Sequence, residues 1–199
     1  MIETGGARKV HPPAHPVPVW ALALPVLVVI AATATAVGMI GIAKPAKTAS
    51  VAGGVARIGG TAPAFTSWDL SGKSVSLADY NGRPVLLTFW ATWCTACQKE
   101  LPALQKIRDS HRSSGFAVLA VNYKETDSAR MSQYLTRLHV NLESIIDPEG
   151  AIATAYGVNI GLPIDVLLDR QARVSRIIVG LVPSATLDAA VVNVAGPGS

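Results

Sequence analysis

The stretch that decides the fold runs from residue 85 to residue 104 and reads VLLTFWATWCTACQKELPAL. It opens with the run VLLTFW, which is typical of a strand buried on both faces of a sheet. From Thr95 onward, apolar residues return at helical spacing, which predicts a helix. Cys94 and Cys97 therefore lie where a buried strand gives way to the first turn of a helix.

The rest of the chain alternates between strand and helix patterns. A hairpin is predicted around Ser71-Gly72, because this turn separates two short β-type runs. Further strands are predicted at 116–121, 166–168 and 174–179, and helices at 128–139 and 185–194, with a short helical stretch ending near residue 157. This order indicates an α/β fold with a mixed sheet, helices on both faces and an N-terminal β-hairpin extension.

The first part of the chain has the composition of a membrane segment. No charged residue lies between Lys9 and Lys44, and residues 19–43 are mostly Ala, Val, Leu and Ile. As a helix they would reach about 37 Å, enough to cross a hydrocarbon core of about 30 Å. We interpret them as a transmembrane anchor. A cleaved signal peptide with an ATA site at 34–36 is the alternative, although its apolar region would be unusually long.

These observations divide the chain into a short tail at 1–18, the anchor at 19–43, a flexible Ala/Gly-rich linker at 44–62 and a folded domain at 63–199. Of the formal net charge of +4, residues 1–49 carry +3 and the remainder carries +1. Because the excess positive charge lies in residues 1–49, which we call the leader, and not on a domain surface, we expect no nucleic-acid partner.

The placement of the two cysteines favours dithiol–disulfide exchange. The dipole and unpaired N–H groups of a helix N-terminus favour an anion, so we expect the pKa of the Cys94 thiol to be lowered. Two residues between the cysteines allow a disulfide within one helical turn. We expect Cys94 to react with a partner, and the more shielded Cys97 to resolve the mixed disulfide.

Three other uses of the cysteine pair are less consistent with the sequence. A zinc site needs two more ligands, and the four histidines have no matching spacing. Covalent haem attachment needs a histidine directly after the second cysteine, where Gln98 stands. A purely structural disulfide this short would contribute little stability, because its entropic effect grows with loop length. We expect no metal, and no cofactor beyond the redox-active disulfide itself.

Residues from about 63 to 182 resemble the membrane-anchored thioredoxin-like proteins of the TlpA/ResA type, which are relatives of the CcmG/DsbE proteins of cytochrome c maturation. The matching segments are FWATWCTACQKELPAL at 89–104, LAVNYKE at 119–125, DPEG at 147–150, YGV at 156–158 and GLPIDVLLDRQARV at 161–174. The resemblance implies a thioredoxin fold. It also implies a domain on the outer, periplasmic face of a bacterial cytoplasmic membrane.

The resemblance further implies roles for two residues near the cysteines. Pro163 matches a proline that the family holds in cis beside the disulfide, where a peptide-like partner aligns against Leu162. An ordinary proline leading into a strand is the alternative. Glu100 matches an acidic residue one helical turn after Cys97, with the implied role of proton acceptor for that thiol. A surface glutamate favoured by the helix dipole is its alternative.

Five further positions complete the expected site or depart from the family pattern. Trp93, Thr95, Ala96 and Leu162 are expected to form a wall around the sulfurs, with a core position as the alternative for Trp93. Ala96 stands where many thioredoxins have proline, so a redox potential cannot be borrowed from relatives. Asp165 stands where the family usually has a Thr-like residue. A buried acid there is costly unless it is hydrogen-bonded or near the active site.

The predicted function is that of a membrane-tethered thiol–disulfide oxidoreductase that reduces disulfides in extracytoplasmic proteins, with apocytochrome c as one class of client. Such an enzyme needs a membrane electron donor. An anchored, non-enzymatic thiol-based binding module or chaperone is one alternative. A thioredoxin-fold peroxidase is a weaker one, because Leu87 and Ala91 stand where that chemistry usually places proline and threonine.

Overall fold

The computed structural model describes residues 48–196, and the structural findings concern this part of the chain. The predicted tail at 1–18 and the predicted membrane anchor at 19–43 lie outside the described residues. Between residues 48 and 196, no helix combines the length and the apolar character needed to cross a membrane.

Eight strands and four α-helices form the described part of the chain. The strands are β1 Ser50–Ala52, β2 Ala64–Trp68, β3 Ser74–Ser76, β4 Val85–Trp90, β5 Ala117–Tyr123, β6 Glu143–Asp147, β7 Ile164–Leu168 and β8 Val174–Val179. The helices are α1 Thr95–Ser110, α2 Ser128–Arg137, α3 Ala151–Ala155 and α4 Ser184–Ala195, with 3-10 turns at Leu77–Tyr80 and Arg112–Ser114. The predicted strands and helices are present. β6 was not predicted, because only Ile145 and Ile146 in it are apolar.

The central sheet is mixed and has the strand order β6-β5-β4-β7-β8. β4, β5 and β6 are parallel, whereas β7 is antiparallel to β4 and β8 is antiparallel to β7. β4 lies in the middle, and all of its residues are buried, which explains its apolar sequence. The predicted hairpin is β2 and β3, which form a second, antiparallel sheet with β1.

The two faces of the central sheet are covered by different elements. Successive residues of a strand point to opposite faces. Leu86 and Trp90 of β4 belong to the core under α1, α2 and α4, whereas Leu87 and Phe89 belong to the core under α3 and the hairpin. The Trp90 ring stacks on Tyr134 of α2 with 5.6 Å between centroids. Helices on both faces were predicted correctly, and α1 shares its face of the sheet with α2 and α4.

The prediction of a flexible linker at 44–62 is wrong from residue 48 onward. β1 pairs with β2, the Ala56 N–H donates to the Ala155 carbonyl at 2.8 Å, and the Ala62 N–H donates to the Ala172 carbonyl at 2.8 Å. Ala56 and Ala62 are both buried. Their small side chains let this backbone approach the domain closely, so a composition typical of a tether belongs here to a packed segment. The folded domain therefore begins before residue 63.

Candidate active site

A disulfide joins Cys94, directly before α1, to Cys97 in the first turn of that helix. Cys94 is the N-cap residue of α1, and its N–H donates to the Ala91 carbonyl at 3.1 Å. Cys94 Sγ is bonded to Cys97 Sγ and also accepts the Cys97 N–H at 3.1 Å. An N–H directed at Cys94 Sγ from a helix N-terminus is an arrangement that stabilises a thiolate once the disulfide is reduced.

The two sulfurs differ in their access to solvent. Cys94 is 6% exposed and Cys97 is completely buried. The greater exposure of Cys94 agrees with the expectation that a partner reacts with this sulfur, although only a small part of Cys94 is exposed. The assignment of Cys94 as attacking sulfur and Cys97 as resolving sulfur stays a prediction, and the difference in access supports it.

The residues beside the disulfide are more exposed than the sulfurs. Trp93 is 62% exposed, Thr95 is exposed and Ala96 is half-buried. A core position for Trp93 is therefore wrong, and Trp90 at the end of β4 occupies the core instead. The exposed Trp93 ring offers apolar surface directly before Cys94 in the chain, where a protein partner could bury it.

The loop that leads into β7 packs against the core that contains Cys94 and Cys97. The Leu162–Pro163 peptide bond is cis, as the family resemblance implied. Pro163 is buried, and the half-buried Leu162 packs against the core cluster that contains Cys94 and Cys97. Ile164 lies opposite Phe89 in the sheet, so this loop is beside the end of β4, although more than sixty residues separate it from Cys97 in the chain.

A carboxylate that sequence reasoning missed holds the loop before the cysteines. Glu125 accepts the Thr92 N–H at 2.8 Å and the Thr92 hydroxyl, and it also accepts the Asn122 side-chain amide at 2.8 Å. Trp90 and Asn122 are partners across the parallel strands β4 and β5, so both strands end at the same edge of the sheet. The available signal was a carboxylate two residues after the end of a buried strand.

Glu100 and Asp165 are two buried carboxyls on elements that face each other. Glu100 is 2% exposed, so its interpretation as a surface residue is wrong. Burial raises the pKa of Glu100, and the nearby Asp165 carboxyl raises it further. Burial also raises the pKa of Asp165, an effect that the nearby Thr88 hydroxyl partly opposes. Neither Asp165 oxygen has a hydrogen bond of normal geometry among the described residues.

In residues 48–196, no group of three or more His, Cys, Asp or Glu side chains is arranged to hold a metal ion. The chemical groups that the structure brings together at the end of β4 and the start of α1 are the disulfide, the cis-proline loop and the buried carboxyls. This arrangement suits exchange between the Cys94–Cys97 disulfide and the thiols of a partner.

Comparison with known proteins agrees with this chemistry. The AhpC/TSA family model matches residues 58–177. The chain is 35% identical over 123 residues to thiol-disulfide oxidoreductase ResA of Geobacillus thermodenitrificans. This alignment covers 62% of this chain and 70% of that protein. It is also 32% identical over 122 residues to ResA of Bacillus subtilis, and this alignment covers 61% of this chain and 67% of that protein.

A solved structure shows the same fold. The DsbE-type thiol:disulfide interchange protein of Chlorobium tepidum superposes with a TM-score of 0.66 and 29% sequence identity. The superposition covers 71% of this chain and 99% of that one. With its thioredoxin-like fold, its disulfide at the start of α1 and these relatives, the chain belongs to the AhpC/TSA family and is a thiol-disulfide oxidoreductase of the ResA type.

Proposed function

We propose that this oxidoreductase is tethered to the bacterial cytoplasmic membrane by residues 19–43 and reduces disulfides in client proteins on the outer face. The observation that carries the proposal is the Cys94–Cys97 disulfide at the N-terminus of α1, with only Cys94 reaching solvent. The length and apolar character of residues 19–43 support the tether. The names of the ResA relatives support the chemistry.

The proposed reaction transfers two electrons from the enzyme dithiol to the client disulfide. The Cys94 thiolate attacks a client sulfur, forms a mixed disulfide and releases one client thiolate. Cys97 then loses its proton and attacks Cys94 Sγ. The Cys94–Cys97 bond forms, the mixed disulfide breaks, and the second client thiolate leaves. The enzyme ends oxidised and the client reduced, so a membrane dithiol donor must reduce the enzyme again.

The reduction potential tests the direction of electron flow. The full-length chain in mild detergent is equilibrated with glutathione or dithiothreitol buffers, and the oxidised fraction is measured. A value near or below that of thioredoxin, about −270 mV, supports a reductase. A value near that of the oxidant DsbA, about −120 mV, would contradict the proposed direction.

Trapping tests the roles of the two cysteines. The Cys97→Ser variant retains the attacking sulfur and lacks the resolving one, so we expect it to accumulate a mixed disulfide with a disulfide-containing client. The matched Cys94→Ser variant should accumulate much less, because its remaining sulfur is completely buried. Equal trapping by the two variants would contradict the assignment.

The location and the client class are tested in cells. We expect the full-length chain to stay in the membrane fraction after alkaline extraction, and its domain to be digested by protease added to spheroplasts. A soluble, protease-protected protein would overturn the tether.

Apocytochrome c is the proposed client class, because the family resemblance is to proteins of cytochrome c maturation. Loss of the gene should then lower the amount of haem-bound c-type cytochrome, with restoration by the wild-type chain and not by a Cys94→Ser, Cys97→Ser variant.

A further inference from the structure

A polar cluster lies beneath α1, between that helix and the sheet. Thr88 of β4 and Asp165 of β7 are direct partners across antiparallel strands. Their neighbours on the same face, Leu86 and Leu167, belong to the core beneath α1, so Thr88 and Asp165 face that helix as well. Glu100 is on the buried face of α1 and interacts electrostatically with Asp165.

The members of this cluster lack the partners that buried polar groups ordinarily have. Among the described residues, Thr88 Oγ1, Glu100 Oε1 and both Asp165 carboxylate oxygens are buried without a hydrogen bond of normal geometry. Neither carboxyl takes part in an ion pair in this part of the chain. Two unpaired carboxyls in a buried site cannot both ionise at low cost, because desolvation and mutual repulsion both favour the protonated form.

Within residues 48–196, the elements around the cluster supply no compensating cation. α1 contributes the Cys97 sulfur, and its Lys99 is exposed. β8 places Ile178 opposite Asp165, while its Arg176, opposite Leu167, is exposed. α4 contributes apolar residues to this core, and its Asp188 contacts His111 at 2.8 Å.

The cluster is next to the sulfur that needs a proton carrier. Cys97 and Glu100 are three residues apart on α1, which places them on one face of the helix, and both are buried. A thiol that is closed off from water exchanges its proton through a neighbouring group. A carboxyl serves well as that group when its proton affinity approaches that of a thiol.

We propose that Asp165 is a positioning residue for proton transfer, which acts through Glu100 by holding a proton there in the oxidised protein and making Glu100 an effective base for the Cys97 thiol. This inference rests on the proposed exchange reaction and assigns a role to a residue at which the chain departs from its family. Burial and the Asp165 carboxyl both raise the pKa of Glu100, in the direction that this role requires.

The proton and electron balance closes over one cycle. A donor thiolate attacks Cys94 Sγ, and Cys97 leaves with the bonding electron pair and takes the proton from Glu100. The donor's second thiolate displaces Cys94 as a thiolate, and the donor is oxidised to a disulfide. When Cys94 has attacked a client disulfide, Glu100 takes the proton back from Cys97, and the Cys97 thiolate resolves the mixed disulfide.

The pH profile of disulfide reduction tests the role of Asp165. The full-length chain in mild detergent is reduced by dithiothreitol between acid and alkaline pH, and rates are corrected for the thiolate fraction of the reductant. We expect the wild-type rate to fall above an inflection set by Glu100. Asp165→Asn and Asp165→Thr should both move this inflection to lower pH, by about one pH unit or more. Between the two inflections the variants should be slower, by up to about tenfold for each pH unit that separates the inflections.

Asp147→Asn is the matched control. Asp147 is also a buried carboxyl of the central sheet, but it lies on β6, three strands from β7 or about 14 Å away. It accepts the N–H groups of Ile152 and Ala153 at the start of α3. This variant should retain the wild-type inflection. An equal shift in Asp147→Asn would show a general effect of a lost charge and would overturn the proposal.

The Glu100→Gln background shows whether Asp165 acts through Glu100. In that background we expect Asp165→Asn to leave the corrected profile unchanged, since the group it tunes is absent. The same shift with and without Glu100 would mean that Asp165 acts on the thiols directly, which would overturn the proposal. An unshifted inflection in both Asp165 variants would overturn it too. A disulfide that could not be reversibly reduced would instead contradict the proposed function.

Discussion

At the scale of single residues, the site depends on carboxyl groups in unusual surroundings. Glu125 is fixed by hydrogen bonds and holds the loop before Cys94. Glu100 and Asp165 are buried and lack compensating partners among the described residues. Burial raises the pKa of both Glu100 and Asp165. The contribution of this pair to stability should therefore depend on pH.

Stability should fall as the buried carboxyl pair is forced to ionise. The folded state raises the pKa of Glu100 and of Asp165 above their ordinary values of 4.5 and 3.8. Folded protein then binds more protons than unfolded protein above about pH 4, so the free energy of unfolding decreases as pH rises through the raised values. Urea unfolding of the oxidised chain across pH measures this slope. The Glu100→Gln, Asp165→Asn double variant should have a shallower slope, and an unchanged one would contradict the prediction.

Removing the Glu125 carboxylate should loosen the approach to the disulfide. Glu125→Ala loses the bonds to Thr92 and Asn122, and we expect a destabilisation of about 1–3 kcal/mol by urea unfolding. The disulfide should also be reduced faster by dithiothreitol. Glu149→Ala, which truncates an exposed glutamate, is the control and should change neither quantity. Equal effects of the two substitutions would mean that the Glu125 contacts contribute nothing specific.

At the scale of elements, the segment before β2 is the part that composition misrepresented. Ala and Gly are common in flexible linkers, but they also permit close packing of one backbone on another. Here β1 extends the hairpin, and residues 56–62 lie along α3 and the turn before β8. A packed segment differs from a flexible linker in that its backbone N–H groups are hydrogen-bonded, and composition does not predict this hydrogen bonding.

A substitution at Ala56 distinguishes a packed segment from a flexible one. Ala56 is 8% exposed, so Ala56→Leu should overpack its site and destabilise the domain by about 1–3 kcal/mol. Ala52→Leu, at an exposed position of β1, should be close to neutral. Thermal or urea unfolding of the two variants makes the comparison. A neutral Ala56→Leu would support the flexible-linker interpretation instead.

At the scale of the whole molecule, the net charge of the leader differs from that of the domain. Residues 1–49 carry most of the net charge of +4, whereas the remainder carries +1. The fold brings the functional groups together at one place, where α1 begins and the β7 loop approaches. Trp93 is a large, exposed apolar side chain beside the disulfide, which suits a protein partner more than a polyanion.

We therefore expect no specific binding of nucleic acid by the full-length chain. Any retention of double-stranded DNA should come from the leader and disappear as salt approaches physiological strength, since only a few phosphate contacts are available. Electrophoretic mobility at two salt concentrations measures this, with an Arg8→Gln, Lys9→Gln variant as the control for the leader. Salt-resistant binding that this variant retained would contradict the prediction.

The sequence by itself determined the features that depend on short segments. The apolar run of β4, the helical spacing of α1 and the cysteines between them predicted a buried strand, a helix and the redox pair, and the family resemblance implied the thioredoxin fold. These features are local because strand burial, helix periodicity and helix capping each act over a few neighbouring residues. Resemblance along the chain then identified Pro163 and Glu100 as residues of interest.

Only the tertiary structure decided which distant groups share one environment. It placed Asp165 of β7 opposite Thr88 of β4 and beneath Glu100 of α1, and it placed Glu125 against Thr92. It also packed residues 48–62 onto the domain. No local pattern encodes these contacts, because strand order and the side of the sheet that a helix covers are set by the burial of the whole core. The protonation of a carboxyl depends on the same burial, so the chemistry of Asp165 belongs to the fold and not to its own segment of sequence.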